Sequence, residues 1–248
     1  MVPSRLRSAQ PATPRRCTAR SCSIVMAAAA CLLHPLAANA GRPLATEDAD
    51  VLEPRVCEWE SFGARTRTTG AASARAWATQ VGCGLGAGTQ AALAYSRATE
   101  DGVTAQGLSL GGKTGLIARK DGAIGLTLAW GMGAVKAPAH SWRLETTYLN
   151  LVATRELADG VTGHANLGWT HDRASGQHST TWNLAAEAAL GRGVDVMAEL
   201  YGDDRSKPWL GAGLRWTLSE AFSLNASAAR QNDTPRSTLL TLGFKLVF

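Results

Sequence analysis

The sequence predicts an all-β chain: a single antiparallel up-and-down transmembrane β-barrel of about twelve strands, preceded by a cleaved leader. Three features carry that expectation. The first forty residues have the layout of an export signal. From residue 54 onward, short runs alternate apolar and polar residues with period two and are separated by turn-forming residues. No apolar run after the leader approaches the roughly 18 to 20 residues a membrane helix needs, which leaves strands as the only way across a bilayer.

The leader comes first in the chain. Arg5, Arg7, Arg15, Arg16 and Arg20 form a basic start without an acidic residue, followed by an apolar run through Ile24, Met26, Ala27 to Ala30 and Leu32–Leu33. Ala38-Asn39-Ala40 is a small-residue cleavage pattern, so the mature chain is expected to begin at Gly41. Cys31 follows four alanines but lacks the leucine of a lipoprotein signal. The whole chain carries 25 Lys+Arg and 20 Asp+Glu. All of the excess lies in the five leader arginines, so the mature chain is balanced and its composition gives no reason to expect nucleic acid as a partner.

Residues 41–53 read as a short periplasmic N-terminal segment, a candidate partial plug of the periplasmic mouth, and 54–248 as the barrel. The first strand is expected near 55–66 and the second near 74–84, folded about Gly70 in RTRTTGAAS. An antiparallel hairpin centred there places Cys57 opposite Cys83 on one face, and the two cysteines left in an exported chain are expected to form a disulfide. Strands follow near 88–99, 103–118, 123–134 and 141–155, the last containing WRLETTYL. Those near 161–172 and 194–203 show the parity best. Val161, Ala165, Leu167 and Trp169 oppose Thr162, His164 and Asn166. Val194, Val196, Ala198 and Leu200 oppose Asp195, Glu199 and Tyr201. The remaining strands are expected near 180–190, 208–217, 221–231 and 237–248. An even count returns both termini to the periplasmic side.

The breakers divide into two sets. The glycine-rich run after Cys83, RKDG, ADG, GRG and SEA are short and belong with the termini. The alternate connections, VKAPAHS, RASGQHS, DRSKP and NDTPR among them, read as longer and external, with EDG the exception. Trp130, Trp142, Trp169, Trp182 and Trp209 fall near the external loops. Trp59, Trp216, Phe222 and Phe248 fall near the other edge, as two interfacial aromatic bands would.

The last strand ends on Phe248, with Leu240, Leu242, Phe244 and Leu246 on its face. Thr241, Gly243, Leu246 and Phe248 are spaced like the signal read by the barrel-assembly machinery of Gram-negative bacteria, and the outer membrane of such a cell is the expected location. Barrel-assembly machinery, outer-membrane lipid and an unidentified small solute are the expected partners, with no cofactor.

GLSLGGKT (107–114) has the literal spacing of a phosphate-binding P-loop, but GLIARKDGAIGLTLAWG follows it. Asp121 and Gly122 leave no room for the helix that a phosphate site needs. Lys113 reads instead as a lumen residue, since Ser109, Gly111 and Gly115 share its parity while Leu108, Leu110 and Leu116 take the other face. Parity extended strand by strand assigns Lys113, Arg143, Glu145, His164, Asn166, Asp172, Glu187, Asp195, Glu199, Arg215 and Lys245 to the lumen, because a charge on the lipid face costs roughly 2 to 4 kcal/mol near the midplane. These groups suit a conduit and a filled interior equally. His164, His171 and His178 recur every seven residues, which alternates faces in a strand and disfavours a shared metal. No serine–histidine pair with an orienting acid is evident, so no enzyme is expected.

The boxes GRPLATEDADVLEP (41–54), CEWES (57–61), HANLGW (164–169), AELYGDD (198–204) and GAGLRW (211–216) together resemble the outer-membrane barrels grouped with the "MetA-pathway of phenol degradation". The resemblance implies a channel or transporter-like barrel admitting small organic, including aromatic, compounds, and it carries no catalytic residues. The reading is therefore a channel passing a small solute through a mixed-charge lumen. A non-conducting structural or surface-binding barrel is the alternative, and an outer-membrane lipid hydrolase stands behind both.

Overall fold

The computed structural model describes residues 44–120, 122–138 and 140–248. The leader and its expected cleavage site lie outside the described residues. Twelve antiparallel strands close into a barrel: β1 (Cys57–Thr68), β2 (Ala74–Gly86), β3 (Thr89–Glu100), β4 (Val103–Ile117), β5 (Gly125–Ala137), β6 (His140–Ala158), β7 (Val161–Asp172), β8 (Gln177–Gly191), β9 (Val194–Asp203), β10 (Trp209–Ser219), β11 (Phe222–Gln231) and β12 (Ser237–Val247). Each strand pairs with its neighbours in sequence, and β1 closes the cylinder on β12. Cys57 and Phe248 exchange backbone hydrogen bonds of 2.8 Å in both directions, so the two ends of the barrel wall meet at one rim.

Solvation explains why these residues form these strands. Paired residues share a face, and the register sorts leucines outward: Leu93, Leu110, Leu167, Leu210, Leu214, Leu240 and Leu242 are exposed on the outer wall. The inward positions are small or polar, with Ala78, Ala92, Ala94 and Ala129 buried beside Gln80, Gln90, Thr127 and Thr154. An apolar exterior around a polar interior is the arrangement a bilayer selects. No described helix is long and apolar enough to cross a membrane.

Cys57 lies directly opposite Cys83 and is joined to it by a disulfide on the outer wall near the terminus rim. The P-loop-like stretch is the interior of β4, with no helix after it.

Three details of the sequence reading are corrected. The external connections are mostly the longer ones, four of the six spanning four or five residues against two residues for four of the five on the terminus side, but one of them is misplaced. VKAPAHS is mostly strand, because β5 continues to Ala137 and β6 begins at His140; the seven residues 118–124 on the terminus side form the longest connection. For the same reason Trp130 lies at mid-strand, where its ring occupies the space beside Gly112, and not in an external band. Trp209 points into the lumen, opposite inward Tyr201, with the two rings nearly parallel (5°) and their centroids 6.1 Å apart.

Candidate functional site

The interior is occupied by the N-terminal segment. It enters at the terminus rim past Gly84, where a side chain would collide with the carbonyl oxygens of Leu52 and Glu53. From there residues 53 back to 44 reach the middle of the barrel. Its hydrogen bonds run to a succession of strands. The Leu52 amide donates to Gln90 Oε1 on β3 (2.6 Å), and Lys113 Nζ on β4 donates to Asp48 O (2.9 Å), Asp48 Oδ1 (3.0 Å) and Asp50 O (3.3 Å). Thr127 Oγ1 on β5 donates to Ala49 O (2.6 Å), and the Ala49 amide donates to Thr154 Oγ1 on β6 (2.8 Å).

Asn166 on β7 holds Glu47 from both sides, accepting its amide at 2.7 Å and donating to its carbonyl at 2.9 Å. Asn183 on β8 donates to Ala45 O (3.1 Å). Glu199 on β9 is the deepest anchor: its Oε2 accepts from the Ala45 amide (2.8 Å), the Thr46 amide (3.0 Å) and Thr46 Oγ1 (2.9 Å). Thr46 is 2 % exposed and Lys113 0 %, so this is a buried interface and not a surface tether. A carboxylate and an ammonium are both tolerated there because several hydrogen bonds offset their desolvation.

The remaining wall is lined differently. Arg215 on β10 bridges Asp195 (Nε to Oδ2, 3.0 Å) and Glu187 (Nη2 to Oε2, 3.1 Å). His164 shares a 3.0 Å hydrogen bond with Thr154 and sits 3.9 Å from Glu187. Lys245 on β12 is 3.7 Å from Glu58 on β1, and Gln80 Nε2 donates to Glu60 Oε2 at 2.5 Å. Between this wall and the segment lies a cavity of about 260 Å³, lined by Glu58, Glu60, His164, Glu187, Arg215 and Lys245 and closed on the other side by Thr46 and Asp48.

The lumen positions read from sequence therefore divide. Lys113, Asn166 and Glu199 hold the segment. His164, Glu187, Asp195, Arg215 and Lys245 belong to the ion-pair wall. Arg143, Glu145 and Asp172 lie at the outer end. Arg143 is exposed, Glu145 sits at a bulge, and Asp172 Oδ1 caps the β7–β8 turn through the amides of Ala174 (2.8 Å) and Ser175 (3.1 Å). Of the four C-terminal positions, Thr241 and Gly243 face inward while Leu246 follows Trp59 to the outer wall; Phe248 is 64 % exposed. His171 and His178 pair across strands, Nδ1 to Nδ1 at 3.1 Å, on the outer face beside Trp169 and away from His164. Among the described residues no group of three His, Cys, Asp or Glu side chains is placed to hold a metal.

Sequence reasoning missed Gln90, Thr127, Thr154, Asn183 and Asn150, the last donating from Nδ2 to Glu47 Oε1 at 3.2 Å, all of inward parity, as partners of the segment. Their signal was present in the same alternation that identified Lys113 and Asn166, but alternation marks the inward face without saying which inward residues meet the segment.

Fold and interior together define the class: an outer-membrane β-barrel of the porin-like kind. The chain belongs to the family described as "Uncharacterised conserved protein UCP029691", whose model matches residues 28–248. Among solved structures it is similar to "KdgM porin" (TM-score 0.57, 8 % identity, covering 76 % of this chain and 99 % of that one). It is also similar to "KdgM porin in complex with disordered oligogalacturonate" (0.56, 8 %, 76 % and 99 %) and to "NanC porin structure in rhombohedral crystal form" (0.56, 10 %, 76 % and 98 %). At such identities the likeness concerns the fold. No curated protein matches the sequence.

Proposed function

We propose that the protein is a plugged outer-membrane channel that passes a small solute along the mixed-charge wall of β10–β12, β1 and β2. The observation that carries this reading is the position of the N-terminal segment. It is bonded to β3 through β9 and leaves a cavity of about 260 Å³ against the Arg215 and Lys245 side. That space lies below the roughly 300 to 1,000 Å³ of pockets for drug-sized ligands, so the solute is of single-ring size unless the plug moves. Carboxylates and cations alternate around it, which favours a polar or zwitterionic solute over an apolar one. The likeness of GRPLATEDADVLEP and later boxes to the phenol-degradation barrels supports an aromatic acid as the first candidate. The C-terminal pattern at Thr241, Gly243, Leu246 and Phe248 is proposed as the assembly signal.

Planar-bilayer recording of the refolded mature chain tests this. Small, steady conductance, reduced by millimolar benzoate-type acids, is expected. A folded protein that passes no current, with or without residues 41–53, would leave only a structural or surface-binding barrel.

A further inference from the structure

The outer wall carries a charge asymmetry that passage through the lumen does not use. Outward positions along the twelve strands hold Arg65, Arg67, Arg75, Arg97, Lys136, Arg155 and Arg230 and no aspartate or glutamate. Six of the seven lie toward the rim opposite the chain termini; Arg155, on β6, lies toward the terminus rim.

The register makes the six one patch. Arg65 is directly opposite Arg75. Arg97 pairs with Trp77 on one side and with Gln106 on the other, and Gln106 pairs with Lys136. Arg67 and Arg230 flank Thr238 across β12. The patch thus runs without interruption over β11, β12 and β1 to β5.

Like charges directly opposite each other in a sheet repel, and a cation on the lipid face is tolerated only near the interface. None of the six takes part in an ion pair among the described residues. Arg65 Nε is buried and has no hydrogen-bond partner there. Arg67, Arg75, Arg97, Lys136 and Arg230 are exposed. Immediately below, Trp77 and Tyr95 are in contact (centroids 5.4 Å apart), and below these stand Leu93, Leu108 and Leu110. The order from rim to midplane is guanidinium, aromatic ring, leucine. An amphiphile with phosphates above sugar and acyl chains has the same order, and guanidinium groups bind phosphate through paired charge-assisted hydrogen bonds.

We propose that this patch is a binding surface for the phosphorylated glycolipid headgroup of the outer leaflet, with Arg65, Arg75 and Arg97 as its centre. The lipid A phosphates supply the anions that the outer wall lacks and relieve the repulsion between Arg65 and Arg75.

The test uses the full mature chain folded in an uncharged detergent. Retention of added bisphosphorylated lipid A is followed by native mass spectrometry, and the unfolding midpoint by heat-dependent gel mobility. Bisphosphorylated lipid A is expected to be retained and to raise the midpoint, whereas its dephosphorylated form and inorganic phosphate at equal concentration are not. The triple variant Arg65→Gln, Arg75→Gln, Arg97→Gln should lose retention, at roughly fivefold weaker binding per arginine. Arg155→Gln should keep it. Should the triple variant not fold, single Arg75→Gln and Arg97→Gln variants decide by the same measure. Equal retention of dephosphorylated lipid A, wild-type affinity in the variants, or equal binding to phosphatidylglycerol vesicles would each overturn the proposal.

Discussion

The two halves of the barrel interior solve the same problem by different means. Over β3 to β9 the inward polar groups are satisfied by the backbone of the N-terminal segment: Asn166, Thr127, Thr154 and Gln90 bond to its amides and carbonyls. Over β10 to β2 the inward charges pair with other side chains of the wall, Arg215 with Asp195 on β9 and Glu187 on β8, and Lys245 with Glu58 on β1. A wall whose side chains are largely spent on a backbone segment has few donors or acceptors to offer a passing solute. A wall of half-buried ion pairs does, since its charges can be shared with a solute without leaving any of them bare. On the reading proposed above, the second half is the surface a solute would follow and the first the seat of a gate.

Removing residues 41–53 should give the largest effect. The anchoring wall would be bared and the free cross-section of the lumen would grow from a side cavity to most of the bore. Single-channel conductance is expected to rise severalfold in planar bilayers, with the barrel still folded by heat-dependent gel mobility. Unchanged conductance would mean that the segment leaves the lumen on its own.

Lys113→Met should come next. Lys113 Nζ spends its three donors on Asp48 O, Asp48 Oδ1 and Asp50 O, and its side chain is 1 % exposed. Removing one partner of such a buried pair costs about 3 to 5 kcal/mol, chiefly by stranding the other charge. The segment should then detach for much of the time, and brief openings with the amplitude of the deletion variant are expected. Adding Asp48→Leu should restore the closed level, because the stranded carboxylate is gone. Failure of that second change to suppress openings would show that Lys113 acts on the wall and not on the plug.

How much of this was legible in the sequence depends on what enforces each feature. The inward assignment of Lys113 and Asn166 follows from alternation, because the bilayer penalises the wrong face of every strand and so writes its constraint repeatedly. Strand extents came through to within a few residues for the same reason. That residues 41–53 enter the barrel as a partial plug was expected, but the path of 44–53 across β3 to β9 was not legible, because alternation says which wall residues face inward and not which of them meet the segment. Trp209 was misread as interfacial because its position along the strand was considered and its parity with Gly211 and Arg215 was not. The cation patch is equally readable from parity, since Arg65 and Arg97 share faces with Leu240 and Trp77.

On the self-paired wall, Arg215→Gln should have a smaller and different consequence. Asp195 and Glu187 would each lose a charged partner while the plug keeps its own anchors. Conductance should change little, but the reversal potential in a potassium chloride gradient should move toward the value for cations, the two carboxylates being left to attract them. An equal rise in conductance would indicate that the ion-pair wall also holds the segment.

Reducing the disulfide should have the least effect on the lumen and is the sharpest check on the division between the halves. Cys57–Cys83 closes a separation of 26 residues on the outer face of the β1–β2 hairpin. Chain entropy gives such a link a ceiling of about 3.5 kcal/mol, so the unfolding midpoint should fall on reduction. The plug enters beside it, at Gly84, where the Arg55 amide donates to the Gly84 carbonyl at 3.1 Å and the Gly84 amide to Val56 O at 2.9 Å. These bonds fix the entrance from the backbone alone, and the deeper anchors all lie on β3 to β9. Conductance should therefore be the same with and without reductant. A rise on reduction, at a temperature where the barrel stays folded, would place part of the gate on the β1–β2 hairpin and move the boundary between the two halves.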